Sequence, residues 1–249
     1  MKKIVLFTLV MLFVVASSAF AYRPFFTEDA EIVGDKVFQN EVAVDQMTWK
    51  SKDADTIYSD TVYYGFTKNI HASLTIPYAY HKVNNGDTYS GQSDLFLVGK
   101  YVLLRDAKDV ARVAIKVTGK WDNGDYNKVL GFGDKEYAAL LCFTQPVFEN
   151  LLVHAHGGYT IVTDKKNPNY ENYWLYAVGA DLIVTQKGHL IAELVANKNL
   201  DSTLQQQRFI NAGMYYVISD HWNVDLTYRY GLTNTTQDYG FGAGIGFHF

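Results

Sequence analysis

The sequence has a single cysteine, no excess of positive charge and no long apolar run beyond its first residues, and each absence excludes a class of protein. With Cys142 alone, no disulfide can form within the chain. The 22 lysines and arginines are outnumbered by 26 aspartates and glutamates, which argues against nucleic acid as a partner. After residue 21 no apolar run reaches the roughly 20 residues that a membrane-spanning helix requires.

The first 21 residues have the features of a secretory signal peptide. Lys2 and Lys3 precede an apolar run over residues 4–16, and small residues follow, ending in Ala19-Phe20-Ala21. A run of about 13 residues is too short for a membrane anchor, so we expect cleavage after Ala21. Removal of the two lysines leaves 20 basic and 26 acidic residues, a net charge of −6.

The mature part of the chain is rich in aromatic residues and glycine, and from Val37 onward apolar and polar residues alternate. The pattern is clearest in residues 70–81, where isoleucine, leucine and tyrosine alternate with histidine, serine and threonine. Successive side chains of a strand point to opposite faces, so each such segment predicts a strand with one apolar face. Residues 56–66 and 208–218 alternate too weakly for their faces to be assigned.

About twelve segments share this pattern, and their connections alternate between short turns and longer polar loops. An even strand count with short periplasmic turns and longer external loops is typical of bacterial outer-membrane barrels. The predicted fold class is therefore all-β, a transmembrane antiparallel up-and-down β-barrel of about 12 strands. We assign residues 37–249 to the barrel, 22–36 to a periplasmic leader and 1–21 to the signal peptide.

Strand length and aromatic placement favour a membrane barrel over a soluble one. The segments are about ten to thirteen residues long, enough to cross a bilayer at a tilt, whereas strands of soluble proteins average nearer five or six. Aromatic residues on the apolar face gather near segment ends, as in the girdles at membrane interfaces. Those residues are Trp121, Trp174, Trp222, Tyr78, Tyr80, Tyr230 and Phe247. We therefore expect the mature protein in the bacterial outer membrane, surrounded by lipid.

The last segment, residues 237–249, has an aromatic face and a face made almost entirely of glycine. The chain then ends on Phe249, which we expect to contact the outer-membrane assembly machinery. Glycines 240, 242, 244 and 246 leave the inner wall without side chains. The leader is the nearest segment that can occupy that space.

Three short stretches resemble the outer-membrane transporter family named for the MetA pathway of phenol degradation. They read RPFFTEDA from Arg23, YGFTKNI from Tyr64 and DLFLVGKY from Asp94. The chain departs from the family pattern at Glu28, where aspartate is usual, and at Ser93, where glycine is usual. The resemblance implies an outer-membrane channel for the uptake of small aromatic or hydrophobic compounds.

The polar faces of the predicted strands collect charges of both signs. These charges line a mixed-charge pathway that selects solutes, or they form ion pairs that fill a narrow barrel. Both interpretations predict charges of both signs, because buried charges must be paired. The basic side chains within residues 110–121 are Arg112, Lys116 and Lys120. They form a ladder on one strand that would favour an anionic solute. The candidates for lining the lumen are Glu41, Asp45, His71, His81, Asp94, Lys100, Arg112, Lys116, Lys120, Glu136, His154, His156, Asp181, Glu193, Asp225 and Arg229.

The acidic leader has two interpretations. It is either a disordered periplasmic tail or a segment that folds into the lumen as a partial plug. In the second case the two phenylalanines pack inside and Glu28, Asp29 and Glu31 meet the ladder of Arg112, Lys116 and Lys120. The plug candidates are Arg23, Phe25, Phe26, Glu28 and Asp29.

No motif in the sequence favours catalysis or a bound metal. Ser73 and His71 share a face, but no third group completes a hydrolytic set and no G-x-S-x-G is present. His154 and His156 have a spacing that two metal ligands can share, without a cysteine or carboxylate at a matching distance. We therefore expect a protein that is not an enzyme and that needs no cofactor or metal.

The sequence leaves three functions open for such a barrel. The first is passive, partly selective diffusion of small aromatic or hydrophobic solutes through a monomeric channel. The second is a narrow porin selective for anions or acidic sugars, which the basic ladder favours. The third is a structural or surface-binding barrel that transports nothing.

Overall fold

The computed structural model describes residues 25–105 and 111–249, and most of them form β-strands of one closed barrel. In this part of the chain no helix is long and apolar enough to cross a membrane. The strands are β1 Phe38–Thr48, β2 Ala54–Thr67, β3 Ile70–Lys82, β4 Thr88–Gln92, β5 Leu95–Leu104, β6 Arg112–Trp121, β7 Lys135–Phe148, β8 Leu151–Thr163, β9 Tyr173–Ile183, β10 Gly188–Asn197, β11 Gln207–Ser219, β12 Trp222–Gly231 and β13 Tyr239–His248.

Every strand pairs with its neighbours in antiparallel fashion, and β1 closes the barrel by pairing with β13 from Gln39↔His248 to Thr48↔Tyr239. The segments β4 and β5 lie one after the other along β3 and together occupy the position of one strand. The thirteen segments therefore form a barrel of twelve strands. Closure removes the open edges that strands otherwise expose. The prediction of a twelve-stranded antiparallel up-and-down barrel is confirmed.

The alternation of apolar and polar residues over 92–104 predicts one continuous strand, but the structure interrupts it between β4 and β5. Ser93 and Asp94 leave the strand between the two parts, and the Ser93 amide donates to the Pro77 carbonyl oxygen at 3.0 Å. The interruption turns the Asp94 side chain toward the interior, where it is 1% exposed. The break therefore places a buried carboxylate beside the loop of residues 122–134.

The two faces of each strand differ as the alternation predicts. Outward side chains are apolar or aromatic and exposed, whereas the inward side chains are mostly polar and buried. The structure also assigns the two weakly alternating segments. In β2 the even-numbered residues face outward, among them Asp60, and in β11 the inward face carries the rings of Phe209 and Tyr215. A charge on one apolar face and aromatic rings on one polar face explain why these patterns are weak.

Short turns lie at one end of the barrel with the carboxyl terminus, and the longer loops lie at the other end. The longest of these loops, residues 122–134, contains a short 3-10 helix over Tyr126–Lys128. The backbone amide of Lys166 donates to the Gly133 carbonyl oxygen at 2.9 Å, which ties this loop to its neighbour. Because periplasmic turns are short in this class of barrel, we identify the long-loop end as external.

Candidate functional site

The lumen of the barrel holds a segment of the chain's own amino-terminal part, residues 25–35, which we call the leader segment. It has no regular secondary structure, yet the wall satisfies its backbone. The Thr27 amide donates to a Glu193 carboxylate oxygen at 2.6 Å, and the Ala30 amide donates to the Thr144 hydroxyl oxygen at 2.9 Å. Because buried backbone groups need partners, these side chains make an irregular segment tolerable inside the barrel.

Two carboxylates of the leader segment meet two lysines of the wall. The Lys100 ammonium lies 2.9 Å from Asp29 Oδ1 and 3.5 Å from Glu28 Oε2, and Lys116 pairs with the other oxygen of Glu28. Burial by itself would raise the pKa of Glu28, but the charges of Lys116 and Lys100 outweigh it and lower that pKa to about 2. Glu28 is therefore charged at neutral pH and binds the wall electrostatically.

A third carboxylate, Glu31, pairs with Arg112 at the periplasmic end of β6. Three acidic groups of the leader segment thus face three basic groups of β5 and β6. Lys120, the upper member of the predicted ladder, does not join them, because its ammonium binds acidic groups at the external mouth. The structure therefore divides the ladder of β6 between two sites.

The two aromatic residues of the leader segment pack against different strands of the wall. The Phe25 ring lies edge-on to His154 with ring centres 5.1 Å apart, and the Phe26 ring lies at the same distance from Phe209. The Arg229 guanidinium stacks over the Phe26 ring, 4.4 Å from its centre. Phe26 keeps 40% of its surface exposed. Arg23, a further plug candidate, lies outside the described residues.

The lower part of the leader segment builds a small apolar core inside the barrel. Ile32 and Ala30 are each 1% exposed and pack against side chains from β5, β6 and β7. The inward-facing residues that cover them are Val102, Ala114, Leu140 and Cys142. The sequence predicts none of these four residues as a contact of the leader, and Cys142 enters it only as the single cysteine. Their position on the otherwise polar face is the signal that something apolar covers the wall there.

The glycines that make room for the leader segment are not those of the closing strand. A β-carbon added at Gly242 would lie 2.6 Å from Asp45 Oδ1 and 3.3 Å from Arg229 Nη2, so the neighbouring ion pair fills this space. A β-carbon at Gly179 of β9 would instead lie 3.1 Å from the Phe25 ring. The expectation that the leader covers the glycine face is therefore wrong at Gly242, because the long side chains of adjacent strands reach across it.

A cavity of about 160 Å³ remains beside the leader segment. Its lining combines a phenyl ring, a phenol ring and a valine with two lysines, two carboxylates, a histidine and hydroxyl groups. The lining residues are Phe25, Thr27, Glu28, Asp29, Tyr63, His71, Ser73, Thr75, Val98, Lys100 and Lys116. The cavity therefore offers both apolar contact and cationic groups to a small molecule.

The external mouth is held by a second cluster of charges around Lys120. Its ammonium lies 2.8 Å from carboxylate oxygens of Asp134 and Glu136 and 4.0 Å from Asp94. Burial raises the pKa of Asp134 to about 6, against the lowering effect of Lys120. The cluster joins the last residue of loop 122–134 to the wall.

Asp94 fixes the same loop through its backbone. Its two carboxylate oxygens accept hydrogen bonds from the amides of Gly124 at 2.9 Å and Phe132 at 3.0 Å. The Phe132 ring then lies over the Lys120 ammonium, 4.7 Å from the ring centre, with 56% of the residue exposed. The interruption between β4 and β5 therefore positions an aromatic ring at the entrance.

The other lumen-lining candidates also lie on the inward side, buried or partly buried. Most of them make contacts within the wall itself. These contacts are Asp45 with Arg229, His81 with Asp55, Asp181 with His189, Glu41 with Tyr63, and Glu193 with Asn211; Asp225 is 5% exposed on the same face. The inner wall is thus a network of pairs, and the leader segment completes part of it.

His154 and His156 bind different partners although they share a face. His154 Nδ1 lies 3.0 Å from the Thr144 hydroxyl oxygen, whereas His156 Nδ1 accepts the Glu28 amide at 2.9 Å. Across residues 25–105 and 111–249, no group of three or more histidine, cysteine, aspartate or glutamate side chains is arranged to hold a metal ion. Both histidines contribute instead to the surroundings of the leader segment.

With this geometry established, comparison with known proteins identifies the family. Residues 21–249 match the family model described as "Putative MetA-pathway of phenol degradation". The chain belongs to this family. No curated protein matches the sequence.

Solved structures of outer-membrane channels share the fold of this family member at low sequence identity. The COG4313 outer membrane channel from Pseudomonas putida F1 superposes with a TM-score of 0.67 at 12% identity, over 89% of this chain and 98% of that one. The KdgM porin superposes with a TM-score of 0.58 at 10% identity, over 84% of this chain and 99% of that one. The CymD monoaromatic hydrocarbon channel superposes with a TM-score of 0.50 at 10% identity, over 87% of this chain and 88% of that one. The chain thus has the fold of an outer-membrane barrel.

The stretches that resemble the family meet in the structure around the leader segment. The first stretch supplies Glu28, and the third supplies both Lys100, which binds Glu28, and Asp94 at the mouth. In the second stretch, the carbonyl oxygen of Gly65 accepts the Lys36 amide at 2.8 Å, where the leader joins β1. A β-carbon at Gly65 would collide with the Gly34 carbonyl group. The separated motifs therefore describe one assembly of leader and wall.

Proposed function

We propose that this protein is an outer-membrane channel for passive, partly selective diffusion of small aromatic or hydrophobic solutes, and that the leader segment narrows its lumen. The observation that carries the proposal is the cavity of about 160 Å³ between the leader segment and the wall. An apolar cavity of about 150 Å³ accommodates benzene in another protein. The space beside Phe25 and Tyr63 is therefore of the right size for one aromatic ring.

Two exposed rings inside the barrel support a path for such solutes. Phe132 at the external mouth is 56% exposed, and Phe26 deeper in the lumen is 40% exposed. Each ring also stacks with a cation, Lys120 in one case and Arg229 in the other. Aromatic faces attract both apolar molecules and other rings, so the two residues give a solute successive places to bind. The structural similarity to CymD, a monoaromatic hydrocarbon channel, is consistent with this class of solute.

Uptake into proteoliposomes tests the aromatic class directly. We expect phenol to enter faster than a non-aromatic alcohol of similar size, and Phe132→Ala to reduce this preference. Phe148→Ala is the matched control, because Phe148 is 66% exposed at the turn end of β7. Equal entry of the two solutes through the unaltered protein would contradict the aromatic selectivity.

A porin selective for anions or acidic sugars is the second candidate, and the basic groups of β5 and β6 favour it. In the structure Glu28, Asp29 and Glu31 neutralise these groups. Anion selectivity should therefore be weak in the complete protein and stronger once the leader segment leaves the lumen. The KdgM porin, solved with disordered oligogalacturonate, is a structural neighbour of this kind.

Reversal potentials in a planar bilayer separate the two candidates. If anions are the solutes, a chain without residues 22–35 is anion-selective, and Lys116→Glu abolishes that selectivity. If small aromatic solutes are carried, the complete protein prefers phenol to a non-aromatic alcohol of similar size, whichever ions the chain without residues 22–35 prefers. A barrel that transports nothing would show neither conductance nor uptake.

A further inference from the structure

The cavity beside the leader segment has a hydrogen-bond donor in its wall that the protein itself does not use. His71 of β3 lines this cavity and is 3% exposed. Its Nδ1 accepts the Val33 backbone amide at 3.2 Å. Because a backbone amide can only donate, Nδ1 carries no proton, and the proton of the ring lies on Nε2. Among residues 25–105 and 111–249, no group accepts a hydrogen bond from Nε2, so its N–H is available to a molecule in the cavity.

The other polar groups of the lining are mostly engaged in contacts of their own. Lys100 and Lys116 each take one oxygen of the Glu28 carboxylate, and the Tyr63 hydroxyl donates to Glu41 at 3.0 Å. The two carboxylates and two lysines of the lining also cancel in charge. A buried donor without a partner is unfavourable. The molecule that fits this cavity best is therefore neutral and brings an acceptor to the imidazole N–H.

The strand register separates a polar row of the cavity from a more apolar row. His71 lies beside Lys100 of β5. Two residues further along β3, toward the external mouth, Ser73 lies between Tyr63 of β2 and Val98 of β5. Successive inward side chains of a strand are roughly 7 Å apart. A molecule whose ring packs against Tyr63 and Val98 can therefore place a polar substituent at His71.

We propose that this cavity selects small aromatic molecules that carry a neutral oxygen group, a hydroxyl or a carbonyl, over hydrocarbons of the same size, and that His71 determines the selection. The oxygen accepts the Nε2 proton in a hydrogen bond, and the ring occupies the apolar row. A hydrocarbon leaves the buried N–H without a partner, and a site built to form a hydrogen bond discriminates against an analogue that lacks the matching group. The inference rests on the proposed function, since it names the solute class of the same cavity.

Equilibrium dialysis of the complete, folded protein with phenol and with toluene tests the selection, because these molecules differ only in a hydroxyl and a methyl group. The same detergent is present on both sides of the membrane. Partition of each solute into micelles is then equal for every variant and cancels in ratios between variants. His71→Leu removes the N–H, so it should weaken phenol binding about three- to tenfold without weakening toluene binding.

His154→Leu is the matched control. His154 is also an inward histidine, 4% exposed and in edge-on contact with Phe25 of the leader segment, but it lies outside the cavity lining. This variant should bind both solutes as the unaltered protein does. Protection from protease verifies that the leader segment stays docked. If His71→Leu releases it, His71→Asn takes its place, because the asparagine keeps an acceptor near Val33 but is too short to put a donor at the position of Nε2.

The outcomes distinguish this inference from the proposed function. If both solutes bind, and the change at His71 weakens them equally, weakens neither or acts no differently from His154→Leu, then His71 does not select the solute and only this inference is wrong. If neither solute binds the unaltered protein, the proposed aromatic function is wrong and this inference fails with it.

Discussion

The carboxylate of Glu28 shows how one side chain couples the leader segment to the wall. It occupies a position where the related sequence pattern has aspartate, and the additional methylene group of glutamate extends its reach toward Lys116. Two ammonium groups and the His156 ring surround it. The sequence predicts that Glu28 meets the basic ladder, and Lys116 confirms it. It does not predict that Lys100 and His156 also surround this carboxylate, because a linear pattern does not show which strands a coil segment will cross.

Acidification should protonate Glu28 and so break its ion pairs with Lys100 and Lys116 within a defined pH range. The folded pKa of Glu28 lies at about 2, below its usual 4.5, so its contribution to docking is complete above pH 4.5 and is lost as the pH falls toward 2. We expect the leader segment to resist protease at pH 5 and to become accessible as pH 2 is approached. Glu28→Gln should be more accessible to protease than the wild-type protein at pH 5, because its docking lacks this ionised carboxylate, and the two proteins should become alike as pH 2 is approached. A wild-type profile identical to that of Glu28→Gln would contradict the assignment.

At the scale of the strand, alternation predicts most of what the structure shows. The twelve strands of the barrel and their faces follow from the spacing of apolar residues. In β3, for example, exposed and buried side chains alternate over residues 70–82. The break between β4 and β5 does not follow, because Asp94 leaves the strand to bind two amides of a distant loop. The face of β2 does not follow either, since Asp60 interrupts the outward apolar pattern. Both exceptions depend on tertiary partners.

The Asp94 side chain, at the break between β4 and β5, should keep loop 122–134 in a fixed conformation. Asp94→Ala removes both acceptors and leaves two amides without partners, and hydrogen bonds to charged groups contribute roughly 1.5–3 kcal/mol each. We expect trypsin to cut after Lys128 at least about tenfold faster in this variant. Asp87→Ala is the control, because that exposed aspartate contacts only its own loop and strand. Equal cleavage rates in the two variants would show that Asp94 does not hold the loop.

At the scale of the whole molecule, the barrel and its leader form one unit. The wall alone would expose inward apolar residues such as Leu140 to water, and Ile32 of the leader segment covers them. Three acidic groups of the same segment match three basic groups of the wall. These complementary features explain why the lumen accommodates this particular segment, with a cavity beside it of about the size of one aromatic ring.

The most direct test of this account is the single-channel conductance of the complete protein and of a chain without residues 22–35. Both are refolded into the same planar bilayer, and heat-dependent gel migration confirms that each barrel is closed. The account predicts a larger conductance after deletion, because the segment that occupies part of the lumen is gone. An unchanged conductance would mean that the leader segment does not limit the pore and would contradict its role as a plug.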